Sequence, residues 1–466
     1  MSSFAALTTA LSGLVAQRYG LDITGQNVAN VNTPGYSRQR AVLVPVDPAA
    51  VASLQSARLS SGGGVSVTGV ERIADALVDA RARAENEAGA RYGVASAVWT
   101  RIDSMLGEPA DGGLTEQLST FFNAWADLAN RPDVDATRVA VIQTGQAVAD
   151  RLFRLGTDLE VQWTQRHEDL GAVLTDVNET SRAIADLNRS IRQASGAGLA
   201  VNDLVDRRDV LVDTLVSLTG GTVRPVEGGM VEVYVGGMAA VRGTSFDALS
   251  LDPAGAASLA EVRAGGTVQL RWSGGHAAQL PGGSVSGTLE ALTGTLPAVA
   301  QQFDAVAADL AAQVNTEHVL GQGRDGISGR PFFTGSTTAD LRVDPAVVAD
   351  PDLVAAAAVS EGLSGGTVAD RVALLGERAG GPAAAWRAVV TDLGAQALAA
   401  TRRTDLQAVA VREADAARQS VSGVDLDEEL TRMVMFQRAF EGASRVLTAV
   451  DQALDVLINR TGVVGR

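Results

Sequence analysis

DLDEELTRMVMFQRAFEGASRVLTAVDQALDVLI, residues 425–458, decides how this chain folds. Within it Met433, Phe436, Phe440, Ala443, Leu447, Val450, Leu454 and Leu457 follow alternating steps of three and four residues, and all eight are apolar. That spacing lines one face of a 3.6-residue helix, so the stretch reads as an amphipathic helix made to pack along another helix. Asp425 followed by Glu428 resembles a capping box, while Asp427 and Glu429 add negative charge at the positive end of the helix dipole. Capping thus accounts for all four carboxylates, and Ser422-Gly423 breaks the chain just upstream.

The other end carries a matching half. Phe4, Leu7, Leu11, Leu14, Arg18, Leu21, Gly25 and Val28 also step by threes and fours, six of the eight being apolar. This predicts a second seamed helix. Residues 27–32 end it, because asparagine bonds to its own backbone, and Thr33-Pro34-Gly35 supplies a type II turn. Proline fixes φ at the second turn position and glycine accepts positive φ at the third. Residues 40–46 are extended, and after the glycine run at 62–64, Val65 and Val67 alternate like a short strand.

Long helices fill the next third. Residues 71–106 carry Ile73, Leu77, Ala84, Ala95, Ile102 and Leu106 along one side, and 114–129 stops at Asn130-Arg131-Pro132. Residues 136–194 contain no proline and would span on the order of 90 Å as a helix. The later half of that run is seamed by Leu170, Val173, Val177, Thr180, Ile184, Leu187, Ile191 and Ala194. Residues 202–218 end at Gly220-Gly221, a C-terminal cap. At Thr222 the period changes to two: Val231, Val233 and Val235, then Val268, Leu270 and Trp272, alternate with polar residues, predicting a small β region to about residue 288. Helix resumes at 296–320, a hairpin is expected near 341–345, and a helix follows from Pro382 to about 420.

Composition narrows the function. Over 466 residues the net charge is −16, and such a surface repels phosphate backbones, which argues against nucleic-acid binding. The chain has no cysteine, which removes disulfides, thiolate catalysis and Cys-ligated metals; all 38 basic residues are arginine. The first positive charge is Arg18, so no standard cleavable signal peptide is expected. No apolar run reaches the ~18–20 residues needed to cross a bilayer, so membrane insertion is not expected. Catalytic and cofactor patterns are weak. Gly321-Gln322-Gly323-Arg324-Asp325-Gly326 matches GxGxxG, but it follows a helix and opens none. His167, His276 and His318 form no zinc-ligand spacing: His167 reads as a polar packing layer and His276 as a solvated loop residue. Arg207-Arg208 and Arg402-Arg403 read as solvated or salt-bridged helix faces. No catalytic residue, cofactor or metal is expected.

The strongest local signal is Asn27-Val28-Ala29-Asn30-Val31-Asn32-Thr33-Pro34-Gly35-Tyr36-Ser37-Arg38-Gln39. Physically it is a helix end and a turn. It also resembles the Asn-x-x-Thr-x-Gly-Tyr signature of the flagellar rod, hook and hook-associated proteins, most nearly in the form found in members that join hook to filament. Three further stretches are similar to the same family, in the same order. They are Asp203-Leu204-Val205-Asp206-Arg207-Arg208-Asp209; Gln313-Val314-Asn315-Thr316-Glu317-His318 leading to Gly329-Arg330-Pro331-Phe332-Phe333; and residues 422–429 through Leu457-Ile458-Asn459.

The resemblance implies a non-enzymatic structural adaptor of the bacterial flagellum, copies of which form a ring between hook and filament. It implies contacts with the hook protein and with a second hook–filament junction protein, and export through the flagellar type III pathway without cleavage. Axial packing would involve Phe4, Leu7, Leu11, Leu14 and Leu21. Assembly and prior binding to a cytosolic export chaperone would fall on Leu426, Leu430, Met433, Phe436, Phe440, Leu447, Val450, Leu454 and Leu457.

The expected fold is mainly α with an inserted β domain, elongated and discontinuous. Residues 1–60 with 424–466 would form a terminal coiled coil, 61–221 with 289–423 a long-helix bundle with a hairpin, and 222–288 an outer β domain. The rival readings are another axial component (hook, rod or flagellin-type), a cell-wall-remodelling enzyme, and a free-standing coiled-coil adhesin.

Overall fold

The structure is a computed structural model that describes residues 3–46, 63–109 and 112–456. The Phe4 side chain, Leu457 and the tail beyond it lie outside the described set. The chain is mainly helical with several small sheets, as the periodicities predict.

Helix α1 (Ser3–Ala29) leads through the predicted turn into β1 (Gln39–Pro45), which pairs antiparallel with β2 (Val65–Arg72). The Tyr36 N–H donates to the Thr33 carbonyl at 3.2 Å and Gly35 sits at φ +77°, as a type II turn requires. Helix α2 (Ala76–Leu106) begins later than the periodicity predicts. Glu71 and Arg72 complete β2, and Asp75 caps the helix by accepting from the Leu77 and Val78 N–H groups at 2.8 and 3.3 Å. Leu77, assigned to the packed side, is 82% exposed.

Helices α3 (Leu114–Asn130) and α4 (Asp135–Gly196) pack together, and α5 (Asn202–Thr219) also lies along α4, closing at Gly220 with φ +73°. The period-two segment forms β3 (Thr222–Val226), β4 (Met230–Val235), β5 (Met238–Arg242) and β6 (Ser245–Phe246), antiparallel in that order. A second sheet comprises β7 (Leu249–Leu251), β8 (Leu270–Trp272) and β9 (Ala277–Ala278), with α6 (Leu259–Arg263) between its first two strands. Val231, Val233, Val235, Leu270 and Trp272 are buried, as the alternation predicts.

These strands cover the later half of α4, and that changes its seam. The buried positions are Leu170, Leu174, Val177, Ser181, Ile184, Ala185, Asn188 and Ile191; the expected Val173, Thr180 and Leu187 give way to their neighbours. A helix packed on a sheet must answer strand backbone as well as side chains. Asn188, fully buried, donates to the Val231 and Gly243 carbonyls at 2.8 Å each and accepts from the Val231 N–H at 3.2 Å. Leucine at that point would leave those groups unpaired. The β region and the helices therefore share one hydrophobic core.

Helix α7 (Gly283–Glu290) runs through a wide π turn at Ala291–Thr295 into α8 (Leu296–His318). Short strands follow: β10 (Gly321–Gln322), β11 (Phe333–Thr334) and β12 (Arg342–Val343), then α9 (Pro345–Ala349) and β13 (Ala357–Ala358). The pairing of β11 with β12 is the predicted hairpin. After α10 (Thr367–Leu374), α11 (Pro382–Ser422) runs antiparallel to α2: Trp386 meets Glu108, Thr404 the Tyr92 carbonyl and Gln407 Glu85. Finally α12 (Leu426–Asp455) packs antiparallel on α1, the Phe436 ring lying over Gly20 and Glu429 meeting Asn27. The two chain ends thus lie side by side.

The Asn315–His318 and Phe332-Phe333 stretches form a structural knot. Asn315 accepts from the Phe332 and Phe333 N–H groups at 2.8 and 2.9 Å and donates to the Phe333 carbonyl at 2.8 Å. That holds both rings against Phe121, and the Phe332 ring against Trp125 as well. Fully buried His318 donates from Nδ1 to the Arg330 carbonyl (2.7 Å) and accepts at Nε2 from the Ala355 N–H (2.9 Å), so the ring is neutral. Burial pulls its pKa down from 6.5 to about 4. Its contribution is complete above pH 6.5, where folded and unfolded chains both hold it neutral. It is lost as pH falls toward 4, because the unfolded chain takes the proton first. The expected loss by pH 4 is about 3 kcal/mol. Urea midpoints of the wild type and of His318→Gln should converge over that window; parallel pH profiles would contradict this account.

Candidate functional site

Three of the sequence stretches singled out above, hundreds of residues apart, meet where the terminal helix pair joins the bundle. At the centre is Asn27, 1% exposed. Its Nδ2 donates to the Gln39 carbonyl at 2.9 Å and to Glu429 Oε2 at 3.0 Å. Its Oδ1 accepts from the Gln39 N–H at 3.0 Å and the Tyr36 hydroxyl at 2.9 Å. One amide thus ties together the end of α1, the turn, β1 and the start of α12. Only an amide offers donors and an acceptor in that arrangement.

Arg38 makes the second link. Its Nε donates to Glu429 Oε1 at 2.8 Å, a further guanidinium N–H to Glu428 at 2.6 Å, and its backbone N–H to the Ser422 carbonyl at 2.9 Å. Glu428 and Glu429 therefore do not act as expected. Asp425 does cap α12, accepting from the Asp427 and Glu428 N–H groups at 2.9 and 3.1 Å, but Glu428 turns to Arg38 instead of closing a capping box. Glu429 is 1% exposed and is the one residue of α12 that is fully buried among those described.

The third stretch enters from α5. Arg72 bonds Asp206 at 2.6 Å, Asp209 at 3.1 Å and the Ser37 hydroxyl at 3.0 Å. Asn202 donates to Gln39 Oε1 and the Val70 carbonyl. Arg208, read as a solvated or salt-bridged helix face, is buried, pairs with Asp209 at 2.8 Å and donates to the Gly229 carbonyl at 2.6 Å, tying α5 to the β region. One helical turn further, Asp213 receives Arg83 from α2 and Arg418 from α11, and Arg418 also reaches Asp79. Burial raises the pKa values of Asp206 and Asp79 despite these arginines, and burial together with Asp206 pushes Tyr36 up to about 12. This polar chain positions helices.

The rest of the motif serves the turn. Asn30 donates to the Gln26 carbonyl and accepts from the Thr33 hydroxyl, while Asn32 and Pro34 are exposed. Gly35 lies against α5, where a Cβ would run into Val210.

The apolar seams lie beyond the junction. On α12, Met433, Phe436, Phe440, Leu447, Val450 and Leu454 are half-buried, and Leu426 and Leu430 are exposed. On α1 the buried residues are small or off the expected seam: Ala10, Ala16, Gly20, Ile23 and Thr24. Leu7, Leu14 and Leu21 are half-buried beside them, while Leu11 is exposed. The bulk of Phe436 explains the rotation, since its ring needs a glycine beneath it.

The GxGxxG match joins β10 to a turn and opens no helix, His167 stacks on Trp163 at 5.1 Å, and His276 is exposed. Among the described residues no cluster of His, Cys, Asp or Glu could hold a metal, and no helix is long and apolar enough to cross a membrane. Sequence reasoning missed Arg38, Arg72 and Glu429 as junction residues. The available signal was the arginine closing the N-terminal motif and the surplus carboxylates opening the last helix.

Residues 99–333, about half of the chain, match the flagellar hook-associated protein FlgK helical domain. Residues 7–36 match the flagella basal body rod protein family, and residues 417–460 the C-terminal region of flagellar basal body rod FlgEFG proteins. The chain is 28% identical to flagellar hook-associated protein 1 of Bacillus subtilis over the full length of both. It is 27% identical to the Salmonella typhimurium protein of that name, over 70% of this chain and 58% of that one. A solved structure of the flagellar hook junction protein FlgK from Burkholderia pseudomallei superposes with a TM-score of 0.48 at 23% identity, covering 54% of this chain and 46% of that one. The chain belongs to the flagellar hook-associated protein FlgK family.

Proposed function

We propose that this chain is a structural adaptor whose copies form a ring joining hook to filament. The hook protein would lie on one side and a second junction protein on the other. In this reading the terminal pair α1–α12 forms the inner layer of the tube, the long helices with the β11–β12 hairpin form the next shell, and the β region faces outward. The chain travels unfolded through the flagellar export channel without cleavage, to the outside of the cell. Before export, the apolar face of α12 occupies a cytosolic chaperone as a helix in a groove.

The observation that carries this reading is the uncovered apolar surface of the terminal pair. Leu11, Val15 and Tyr19 on α1 are 48–50% exposed, and Leu430, Val434, Met435 and Val446 on α12 are 50–57% exposed. Contiguous apolar surface of this kind marks an interaction site. An asymmetric patch repeated on every copy generates rings or helical tubes. Family membership supports a structural role.

Deleting the gene is the direct test. The expected result is cells with complete hooks, no filaments, and flagellin shed into the medium, with motility lost. Motile cells would overturn the assignment.

A further inference from the structure

The geometry points to Glu429 as the residue that sets the register of the α1–α12 pair. Apolar packing alone separates the registers only by overlap. The α12 seam is apolar at every step through Leu454, so a slide of one heptad, about 10 Å, again presents apolar side chains to α1 wherever the helices still overlap, while Leu447, Val450 and Leu454 pass beyond the start of α1. The position that discriminates most on α1 is the glycine under Phe436. Gly20 takes that ring, its built Cβ position lying 2.6 Å from Phe436 Cε1. Gly13 lies one heptad earlier, and among the described residues nothing comes within 4 Å of its Cβ position. In an antiparallel pair, sliding α12 by seven residues seats Phe436 over Gly13 and brings Glu429 over Gly20. Steric fit at the Phe436 seat accepts both arrangements.

Glu429 does not. In the observed register its two oxygens face the Asn27 amide and the Arg38 guanidinium, with Arg432 at 3.7 Å. In the slid register the carboxylate leaves Asn27 and Arg38 and faces an apolar helix surface, while both donors lose their acceptor. Each charge-assisted hydrogen bond lost is worth roughly tenfold or more in an equilibrium. A single buried polar residue that fixes the register of apolar helices is the best-attested use of such groups. The assignment concerns the pairing within one chain and does not depend on ring formation.

The absence of native cysteine makes the test clean. Two full-length double variants carry Phe436→Cys with either Gly20→Cys or Gly13→Cys, each with Glu429 intact, as Glu429→Leu and as Glu429→Gln. Disulfide yield is read under mild oxidation. With Glu429 intact, the 20–436 link should exceed the 13–436 link by at least about tenfold. Glu429→Leu should lower that ratio by at least about tenfold, and Glu429→Gln, which retains one partner, should fall between. Circular dichroism identifies any variant that has lost helix; if the leucine variant has, the glutamine variant carries the comparison. A ratio left unchanged by the substitutions in the folded variants would overturn the proposal and assign register to helix overlap and to the short connections at Gly423 and at the turn of residues 33–36. Equal yields with Glu429 intact would overturn it as well.

Discussion

Cells that carry Leu447→Asp or Leu454→Asp in place of the wild-type protein are expected to build hooks and no filaments, while the purified variant keeps its β region and long helices intact. Both leucines sit on the α12 seam, half-buried against α1. A buried leucine contributes roughly 1.5–3 kcal/mol, and a carboxylate in its place adds a desolvation cost. Each copy would bear that cost within its own pair and again wherever its terminal helices meet a neighbour. The damage should stay local. Among the described residues, Glu429 is the only fully buried one on α12, and the shared core of helices and strands draws no residue from that helix. Complementation of a deletion strain, scored by electron microscopy, reads the assembly arm, and near-UV circular dichroism of the tryptophans reads the fold. Normal filaments would contradict the inner-layer role of the terminal pair; a globally unfolded protein would contradict its independence from the core.

The same contrast between local period and distant partner explains what was legible in the sequence. Helix existence was legible because periodicity is a local property: α3, α4, α5, α8 and α12 fall where the spacing puts them, and Pro382 opens α11. Which face of a helix turns inward depends on the partner, and there the spacing misled by one position. Asn188 displaces Leu187 because α4 meets strand backbone, and Gly20 and Thr24 displace the leucine stripe because α1 meets a phenylalanine ring. The start of α2 moved because pairing of Glu71 with Arg40 in a strand outweighs helix propensity. The candidate site was legible as separate stretches. Residues 27–39, 203–209 and 422–429 were each recognisable, but nothing local says that Arg38 reaches a helix some 390 residues away. Glu428 and Glu429 were read as capping charges because capping is the local use of a carboxylate; their partners arrive only when the chain ends meet.

Asn27→Leu should release the terminal pair from the bundle without melting the bundle. Leucine keeps the branched heavy-atom skeleton of asparagine and removes its donors and its acceptor. The substitution leaves the Gln39 N–H and carbonyl, the Tyr36 hydroxyl and one Glu429 oxygen without their present partner. At about 1–3 kcal/mol for each of the four groups left unpaired, the docking of α1 and α12 weakens by roughly 4 kcal/mol or more. Hydrogen exchange should show protection falling by several orders of magnitude in α1 and in the first turns of α12. Protection in α2, α4 and α8 should stay as in the wild type. Asn27→Asp separates the two halves of the amide's work. It keeps an acceptor for the Gln39 N–H and the Tyr36 hydroxyl, but sets a second carboxylate where Nδ2 stood 3.0 Å from Glu429. Burial and that neighbouring charge raise the pKa of the new carboxyl, so its protonated form, which can donate again, is favoured as pH falls. The aspartate variant should therefore be most destabilised near neutrality and recover partly on acidification, whereas the leucine variant should show no such recovery. Equal behaviour of the two variants across pH, or unchanged protection of α1 in either, would mean that the Asn27 amide is not what joins the chain ends to the bundle.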